Sequence, residues 1–189
     1  MAGCSYSLAK PAYFVVVVAA ALLIGGWVAK AMYETQPSPA GAQNLPLQSP
    51  GRQVVHLYFA DVHERHLVAE QRVVLQSGDD VALSRRLIEL LVQGPMQGGS
   101  RTLPAGAKLR ALFISSGTAV LDFEAEAFAE HPGGTAAELL SIYSVVNTLV
   151  LNIDSIRSVK FLIGGREAAT LVGHVDLQDA FEVDMLWVR

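Results

Sequence analysis

A long apolar run without charged residues lies near the start of the chain. Residues 11–29 read PAYFVVVVAAALLIGGWVA, and Lys10 and Lys30 stand at its two ends. About 20 apolar residues in an α-helix cross a bilayer core that is about 30 Å thick, and lysine side chains can extend from there to the head groups. The pattern therefore predicts a transmembrane helix over residues 11–31.

The predicted orientation of this helix depends on few charges. The tail 1–10 carries Lys10 and the terminal amine, whereas Glu34 offsets Lys30 beyond the run. The positive-inside rule favours a cytoplasmic tail and an extracytoplasmic remainder, which predicts a single-pass protein of the inner (cytoplasmic) membrane. Residues 29–31 also have the A-x-A form of a signal-peptidase site, but the run exceeds the usual h-region of about 7–15 residues, so a retained anchor is favoured.

Polar and helix-breaking residues follow the apolar run. Residues 32–52 are rich in Pro, Ser, Gln, Gly and Ala and show no periodic pattern, which is typical of a flexible tether. Residues 53–189 then have the commonest size of a single domain. The chain has one cysteine, Cys4, so this domain holds neither a disulfide nor a cysteine-based metal site.

Alternation of apolar and polar residues predicts the strands of this domain. In residues 53–60, Val55, Leu57 and Phe59 share one face, as expected for a half-buried strand. Ser116-Gly117 lies between two such runs and indicates a hairpin. Further strands are predicted at 67–75, 108–115, 118–123, 155–163 and 166–171.

Two segments show helical spacing instead. Asp79 or Asp80 begins a helix that ends at Gly94-Pro95, because glycine suits a helix exit and proline cannot continue the helix. Thr135 and Glu138 have the spacing of a capping box for a second helix. Apolar stripes are predicted at Leu83, Leu87, Leu90 and Leu91 in the first helix and at Leu139, Ile142, Val146 and Leu149 in the second. The fold class is therefore α+β, with one mixed or antiparallel sheet of five to six strands packed by two helices.

The order of short motifs along this domain resembles the GerMN domain, the sporulation and spore germination domain. The resemblance covers residues 53–180, and its strength lies in the sequence of motifs rather than in any single one. The motif residues are Tyr58, Phe59, Arg72, Gly94, Pro95, Leu103, Pro104, Gly106, Asp122, Asn147, Thr148, Leu149 and Gly164.

This resemblance implies a location and a mode of action. GerMN domains occur in extracytoplasmic lipoproteins and membrane-anchored proteins of bacteria, some with roles in spore cortex formation and germination or in an envelope channel around the developing spore. The domain is similar to the ring-building folds of secretion systems, and none is established as an enzyme. This chain departs from the better-known members by having one such domain, and a helical anchor in place of a lipobox cysteine.

The motif residues are interpreted as structural. Gly94 and Gly106 suit positions of positive φ, and Pro95 and Pro104 stiffen the loop. Asp122 is expected at a sheet surface or bound to a loop amide. We expect the Asn147 amide, in an otherwise apolar helix, to hold a buried loop by hydrogen bonds, because buried polar groups are normally paired.

Histidines form the first candidate for chemistry. His63 and His66, with Glu64 beside them, place two imidazoles in the polar connector after the first strand. A zinc site needs more ligands in a defined geometry, which His174 and Asp176 could supply if the tail folded nearby. We favour a solvated turn and expect no metal or cofactor.

Hydrolytic and phosphate-binding patterns are incomplete. Ser115–Gly117 fits a hairpin, and the chain contains no G-x-S-x-G elbow. Cleavage of a glycan needs two carboxylates about 5–9 Å apart. Glu124 and Glu126 are the candidate pair, but they come just after a strand, where acidic residues usually face water. The Gly-rich residues 97–100 lack the phosphate-loop lysine. No catalytic residue is predicted.

Three hypotheses remain for the function. The leading one is a non-enzymatic envelope protein, anchored through residues 11–31, that contacts another envelope protein or a second copy of itself. The second is a binding module for peptidoglycan or another wall polymer, with residues 96–107 lining a groove. The third is a cell-wall hydrolase that uses Glu124 or Glu126. The net charge of −4 does not favour a nucleic-acid partner.

Overall fold

The domain contains two separate sheets, and each includes an antiparallel hairpin. A computed structural model of the chain describes Lys30 and residues 51–189. Strands β1 (Arg52–Ala60) and β2 (Leu67–Leu75) pair antiparallel as a two-stranded sheet. Strands β3 (Leu109–Ser115) and β4 (Thr118–Phe123) form the second hairpin, and its turn residues Ser116 and Gly117 have φ of 51° and 85°. The predicted hairpin is thereby confirmed.

The second sheet grows outward from this hairpin. Strand β5 (Ser158–Ile163) runs parallel to β4. Its other side pairs antiparallel with β6 (Arg166–Glu167) and with β7 (Phe181–Glu182). The result is a mixed five-stranded sheet within the described residues.

Three sequence expectations about the strands need correction. The structure has two sheets instead of one, because side chains of a helix occupy the free edge of β1, as described below. The strand predicted at 155–163 begins at Ser158, because the Arg157 N–H is bonded to the Gly117 carbonyl across the turn. The strand predicted at 166–171 ends at Glu167, because the chain then turns back on itself through a bridge between Thr170 and Asp176.

Helix α1 (Asp80–Gln93) begins and ends as its sequence predicts. The Asp79 carboxylate accepts a hydrogen bond of 2.9 Å from the Val81 N–H, which satisfies one of the unpaired donors of the first turn. At the other end Gly94 has a φ of 88° and its N–H bonds to the Leu91 carbonyl. All four leucines of the predicted stripe are buried: Leu83, Leu87, Leu90 and Leu91.

Helix α2 (Thr135–Val150) begins differently. Its N-cap residue is Gly134, without a side-chain cap, so the predicted capping box of Thr135 and Glu138 is wrong. The physical reason is that the Glu138 side chain turns into the interior, where distant N–H groups bind it. Residues 140–142 and 144–149 of the helix are all buried, whereas Leu139 is partly exposed although its spacing predicts burial.

Helix α2 lies between the two sheets and contributes to two apolar clusters. The main core joins α1 and α2 to the five-stranded sheet and to the inner face of β1 and β2. Its ring contacts include Phe123 with Phe128 at 5.2 Å and with Phe161 at 6.5 Å. A smaller cluster consists of Tyr58, Ala60, Leu67 and Leu140, with Tyr143, Trp187 and Val188 packed against it. Trp187 belongs to a 3-10 helix, Met185–Trp187, and its ring stacks 5.9 Å from that of Tyr143.

These elements belong to one compact unit, Gln48–Arg189. In Lys30 and residues 51–189, no helix is long and apolar enough to cross a bilayer. The segment predicted to span the membrane, residues 11–31, and the predicted tether 32–52 lie outside the described residues, except for Lys30, Gly51 and Arg52.

Candidate functional site

A buried ion pair joins β2 to the loop after α1. The Arg72 side chain contacts one Glu70 oxygen through Nε and Nη2, each at 2.7 Å, and Nη2 also donates to the Gly94 carbonyl at 2.6 Å. The second Glu70 oxygen accepts from the N–H groups of Met96 and Gln97 at 2.8 and 2.9 Å. The Arg72 guanidinium also lies 5.5 Å from the centre of the Phe59 ring.

The charge of this pair is stabilised in place. Burial raises the pKa of Glu70, but the two loop N–H groups and the Arg72 guanidinium outweigh it, so the net pKa lies below the ordinary value. Glu70 therefore stays ionised at neutral pH. The motif residues Arg72 and Gly94 thus hold the loop, and Glu70, which sequence reasoning missed, shares that role. The available signal was the Glu-x-Arg spacing, which places both side chains on one face of the strand.

Side chains of α2 take the place of a neighbouring strand along β1. Thr148 Oγ1 accepts from the Tyr58 N–H at 3.1 Å, and Ser144 Oγ donates to the Tyr58 carbonyl at 2.5 Å. One turn further, the Asn152 amide accepts from the His56 N–H at 2.9 Å and donates to the His56 carbonyl at 2.7 Å. Ser144 and Thr148 are four residues apart and so share one face of the helix, and Asn152 lies two residues beyond the end of the helix.

Asn147 performs a similar task for the C-terminal segment. Its amide nitrogen donates to the Asp184 carbonyl at 3.0 Å and its oxygen accepts from the Asp184 N–H at 3.2 Å. Leu149, two residues after Asn147, is fully buried in the main core. The motif Asn147-Thr148-Leu149 therefore contacts three different parts of the fold.

Asp122 is attached to the turn between β5 and β6. One of its oxygens accepts from the Gly165 N–H at 2.8 Å, and the other lies 3.6 Å from Nε of Arg110. Gly164 and Gly165 have φ of 62° and 78°, where glycine meets no Cβ penalty. Gly106, in contrast, does not have positive φ, so that part of the sequence expectation is wrong.

Glu138 is the most deeply buried charged side chain of the site, with no exposed area. It accepts hydrogen bonds of 3.1–3.3 Å from the N–H groups of Val172, His174 and Val175, and its Oε1 lies 2.6 Å from His174 Nδ1. Burial raises the pKa of Glu138, but the His174 side chain and the three N–H groups lower it more, so the net pKa is below the ordinary value.

A cleft of about 310 Å³ opens beside the loop that carries the motif residues Leu103 and Pro104. Leu103 and Leu140 supply apolar lining, while Arg101 and Glu130 are exposed. The wall of the cleft also contains His131 and Ser141, whose Nε2 and Oγ atoms are 2.9 Å apart. A serine beside a histidine in a cleft is the first arrangement to test for nucleophilic chemistry.

The hydrogen bonds of this pair are not those of a nucleophile and its base. Nδ1 of His131 accepts from the Gly133 N–H at 3.0 Å, so in the neutral ring the proton is on Nε2 and points at Ser141. Ser141 Oγ in turn donates to the Thr102 or Ala137 carbonyl. Burial lowers the pKa of His131, although nearby Glu138 opposes this. Nε2 therefore has no lone pair with which to remove the Ser141 proton.

The other candidate residues lie apart from one another. His66 Nδ1 is 3.7 Å from Asp61, whose pKa is lowered to about 2 chiefly by a hydrogen bond from the Arg65 N–H. Glu124 and Glu126 are exposed in the segment after β4. Across Lys30 and residues 51–189, no group of three His, Cys, Asp or Glu side chains could hold a metal ion.

The buried polar groups of this domain hold its loops and strand edges. Comparison with known families identifies the same family that the order of motifs resembles. The model of the Germane family, described as sporulation and spore germination, matches residues 56–169, more than half of the chain. The chain belongs to the GerMN family. No curated protein matches its sequence.

Solved structures share the fold of this GerMN domain. The first GerMN domain of the sporulation protein GerM from Bacillus subtilis is 27% identical, with a TM-score of 0.58, and the match covers 69% of this chain and 97% of that domain. The tandem GerMN domains of the same protein match equally well, but this chain spans 46% of their length. A candidate lipoprotein from Clostridium perfringens is 28% identical, with a TM-score of 0.50 and coverage of 70% and 88%.

Proposed function

We propose that this GerMN protein is a non-enzymatic, membrane-anchored protein whose domain lies outside the cytoplasmic membrane and acts by protein–protein contact in assembly of the cell envelope, in sporulation or germination. Its family and the sporulation protein GerM support the process. The apolar run at residues 11–29 and the candidate lipoprotein relative support the anchor and the compartment.

One observation carries the contact role, namely the exposed apolar face of the two-stranded sheet. Val54 and Val73 stand directly opposite each other on β1 and β2 and are 57% and 63% exposed. Leu75, two residues further on the same face, is 63% exposed. Adjoining apolar side chains on a surface are typical of interaction sites.

The absence of enzymatic activity is supported by the polar groups themselves. Glu70 and Glu138 are committed to backbone N–H groups, and Nε2 of His131 carries a proton where a general base needs a lone pair.

The contact role is tested with a photo-crosslinking amino acid in the full chain. We expect substitution at Val54 or Val73 to produce defined adducts in membranes of the native host, while the same substitution at exposed Glu126 produces none. A chain that is monomeric by light scattering and produces no adduct from either valine would contradict the proposal.

The compartment is tested separately. A C-terminal alkaline phosphatase fusion should be active, because that enzyme needs an oxidising compartment for its disulfides, and the full chain should resist carbonate extraction from membranes. The same fusion without residues 1–31 should be inactive and recovered in the soluble fraction. Carbonate-soluble full chain would exclude the anchor.

Binding of a wall polymer is the second candidate, because a cleft lies beside the loop 96–107, which the sequence suggested could line a groove. The loop residues Arg101 and Ala105 border the cleft of about 310 Å³, a size within the range of small-ligand sites. We expect purified cell wall to deplete the protein on sedimentation. Ala105→Trp, which narrows the mouth of the cleft, should abolish this depletion, while Ala136→Trp on the exposed face of α2 should not.

A further inference from the structure

We propose that β2 pairs edge to edge with β2 of a second copy of the chain, antiparallel and with Gln71 on the two-fold axis. This inference names the partner of the proposed contact and so rests on the proposed function. The β2 edge is defined here as the outward backbone groups of Ala69, Gln71, Val73 and Leu75.

The backbone orientation follows from bonds at the ends of the hairpin. The Leu67 carbonyl accepts from the Arg189 N–H, on the side of β2 away from β1. The N–H and C=O of one residue in an antiparallel strand point to the same side, and the side alternates along the chain. The N–H and C=O groups of the β2 edge therefore also point away from β1. On β1 of the same chain, the outward bonds of His56 to Asn152 and of Tyr58 to Thr148 give the same parity.

Nothing in the described residues pairs with this edge beyond Leu67. β2 pairs with β1 on one side, and on the other the residues 51–189 contribute a single bridge, Leu67 with Val188. The strand has no proline, no lysine and a continuous register without a bulge. Proline, lysine and bulges are three of the devices that keep an edge strand from pairing with another chain.

Charge favours one register for self-pairing, because among axes within β2 only one at Gln71 places unlike charges opposite each other. In a two-fold antiparallel pair the residues that face each other lie on the same face of the sheet, so the axis passes through one residue of each strand. An axis at Glu70 or at Arg72 would place like charges directly opposite, which is destabilising. An axis at Gln71 places Glu70 opposite the partner's Arg72, and Arg72 opposite the partner's Glu70.

The same register also joins the exposed apolar faces. Val73 lies opposite the partner's Ala69, and the pairing ends beyond these residues, because the Leu67 carbonyl of each chain already accepts from its own Arg189 N–H. Ala69 is itself exposed in the single chain. The four-stranded sheet that results brings the exposed valines and leucines of both copies onto one continuous surface, which supplies an apolar driving force.

Cysteine cross-linking of the full chain tests the register. In a Cys4→Ser background, Gln71→Cys should form a disulfide-linked dimer on mild oxidation, because facing residues of a hydrogen-bonded pair have Cα atoms about 5.5 Å apart, within the disulfide range of about 4.4–6.8 Å. Val73→Cys should not cross-link to itself, because its copies lie about 13 Å apart. A mixture of Ala69→Cys and Val73→Cys chains should cross-link to each other.

Proline provides a matched pair of controls. Val73→Pro removes one outward N–H and should lower the yield of the Gln71→Cys dimer about tenfold, the effect of about 1.4 kcal/mol. Arg52→Pro removes an outward N–H from the far edge of β1, at an exposed residue outside the apolar face, and should leave the yield unchanged.

Each other outcome overturns the inference. If Val73→Cys cross-links to itself as well as Gln71→Cys does, the register is wrong. If Gln71→Cys stays monomeric because another segment of this chain or another protein covers the edge, self-pairing of β2 is wrong. Photo-adducts from Val73 would then still support the proposed contact role. If adducts are lacking as well, both fail.

Discussion

At the scale of single residues, buried carboxylates hold the loops of this domain. Glu138 binds residues 172–175, and Glu70 binds residues 96 and 97. Hydrogen bonds to a charged group contribute more than neutral ones, and an N–H left without its acceptor in the interior costs free energy. Each loop therefore depends on one ionised side chain.

Glu138→Gln tests this dependence. The amide cannot accept from all the N–H groups that bind the carboxylate, so we expect the free energy of unfolding at pH 7 to fall by about 3 kcal/mol. The measurement is urea unfolding of a fragment that spans the compact unit, Gln48–Arg189. Glu126→Gln, at an exposed carboxylate, is the control and should change stability by less than about 0.5 kcal/mol.

The pH dependence of the same variant has a definite sign. Because the pKa of Glu138 in the folded protein is below its ordinary value of 4.5, its stabilising effect is complete above pH 4.5 and is lost as the pH falls through the folded-state pKa. The difference in stability between wild type and Glu138→Gln should therefore shrink below pH 4.5. A difference that stays constant down to pH 3 would show that the charge is unimportant.

Sequence reasoning identified some of these residues and missed others for a physical reason. Asp122 and Asn147 stand out because a polar side chain interrupts an apolar pattern. Glu138 is three residues after Thr135 and fits a capping box, whereas its real partners are 34–37 residues away. Local spacing predicts local bonds, and the packing that brings residues 172–175 to α2 is not local.

At the scale of elements, α2 completes the edge of β1. The strands and helices themselves were predictable, because alternation of period two and stripes at helical spacing mark them directly. Their division into two sheets was not, because it depends on Ser144, Thr148 and Asn152, small polar residues with no apolar signal. These side chains bond to the backbone where another strand would otherwise pair.

Thr148→Val tests the role of this helix face. The change keeps the shape of the side chain but leaves the buried Tyr58 N–H without an acceptor, so we expect a loss of about 1–3 kcal/mol in unfolding free energy. Hydrogen exchange of the Tyr58 amide should accelerate by the corresponding factor.

The control for this variant lies in the same helix. Thr135→Val makes the same chemical change at an exposed residue of the first turn that caps nothing, and it should change stability by less than about 0.5 kcal/mol. A large loss at Thr135 with none at Thr148 would restore the capping box and contradict the role of Thr148.

At the scale of the whole molecule, the C-terminal segment links α2 to the two-stranded sheet. Asp184 is held by Asn147, Trp187 stacks on Tyr143, and the Arg189 N–H bonds to the Leu67 carbonyl at the end of β2. These contacts close the smaller apolar cluster, which lies between α2 and β1. The last residues of the chain are therefore part of the fold that presents the β2 edge.

Two neighbouring residues of the 3-10 helix provide a test of whether the C-terminal segment stabilises the fold. Trp187 packs against the smaller cluster, whereas Leu186 is 92% exposed. Full burial would make Trp→Ala cost about 3–5 kcal/mol, and partial exposure reduces the expected loss for Trp187→Ala to about 2 kcal/mol. Leu186→Ala should have almost no effect on urea unfolding. Because Trp187 supports Leu67 at the end of β2, Trp187→Ala should also lower the yield of the Gln71→Cys dimer, and an unchanged yield would separate the C-terminal segment from self-pairing.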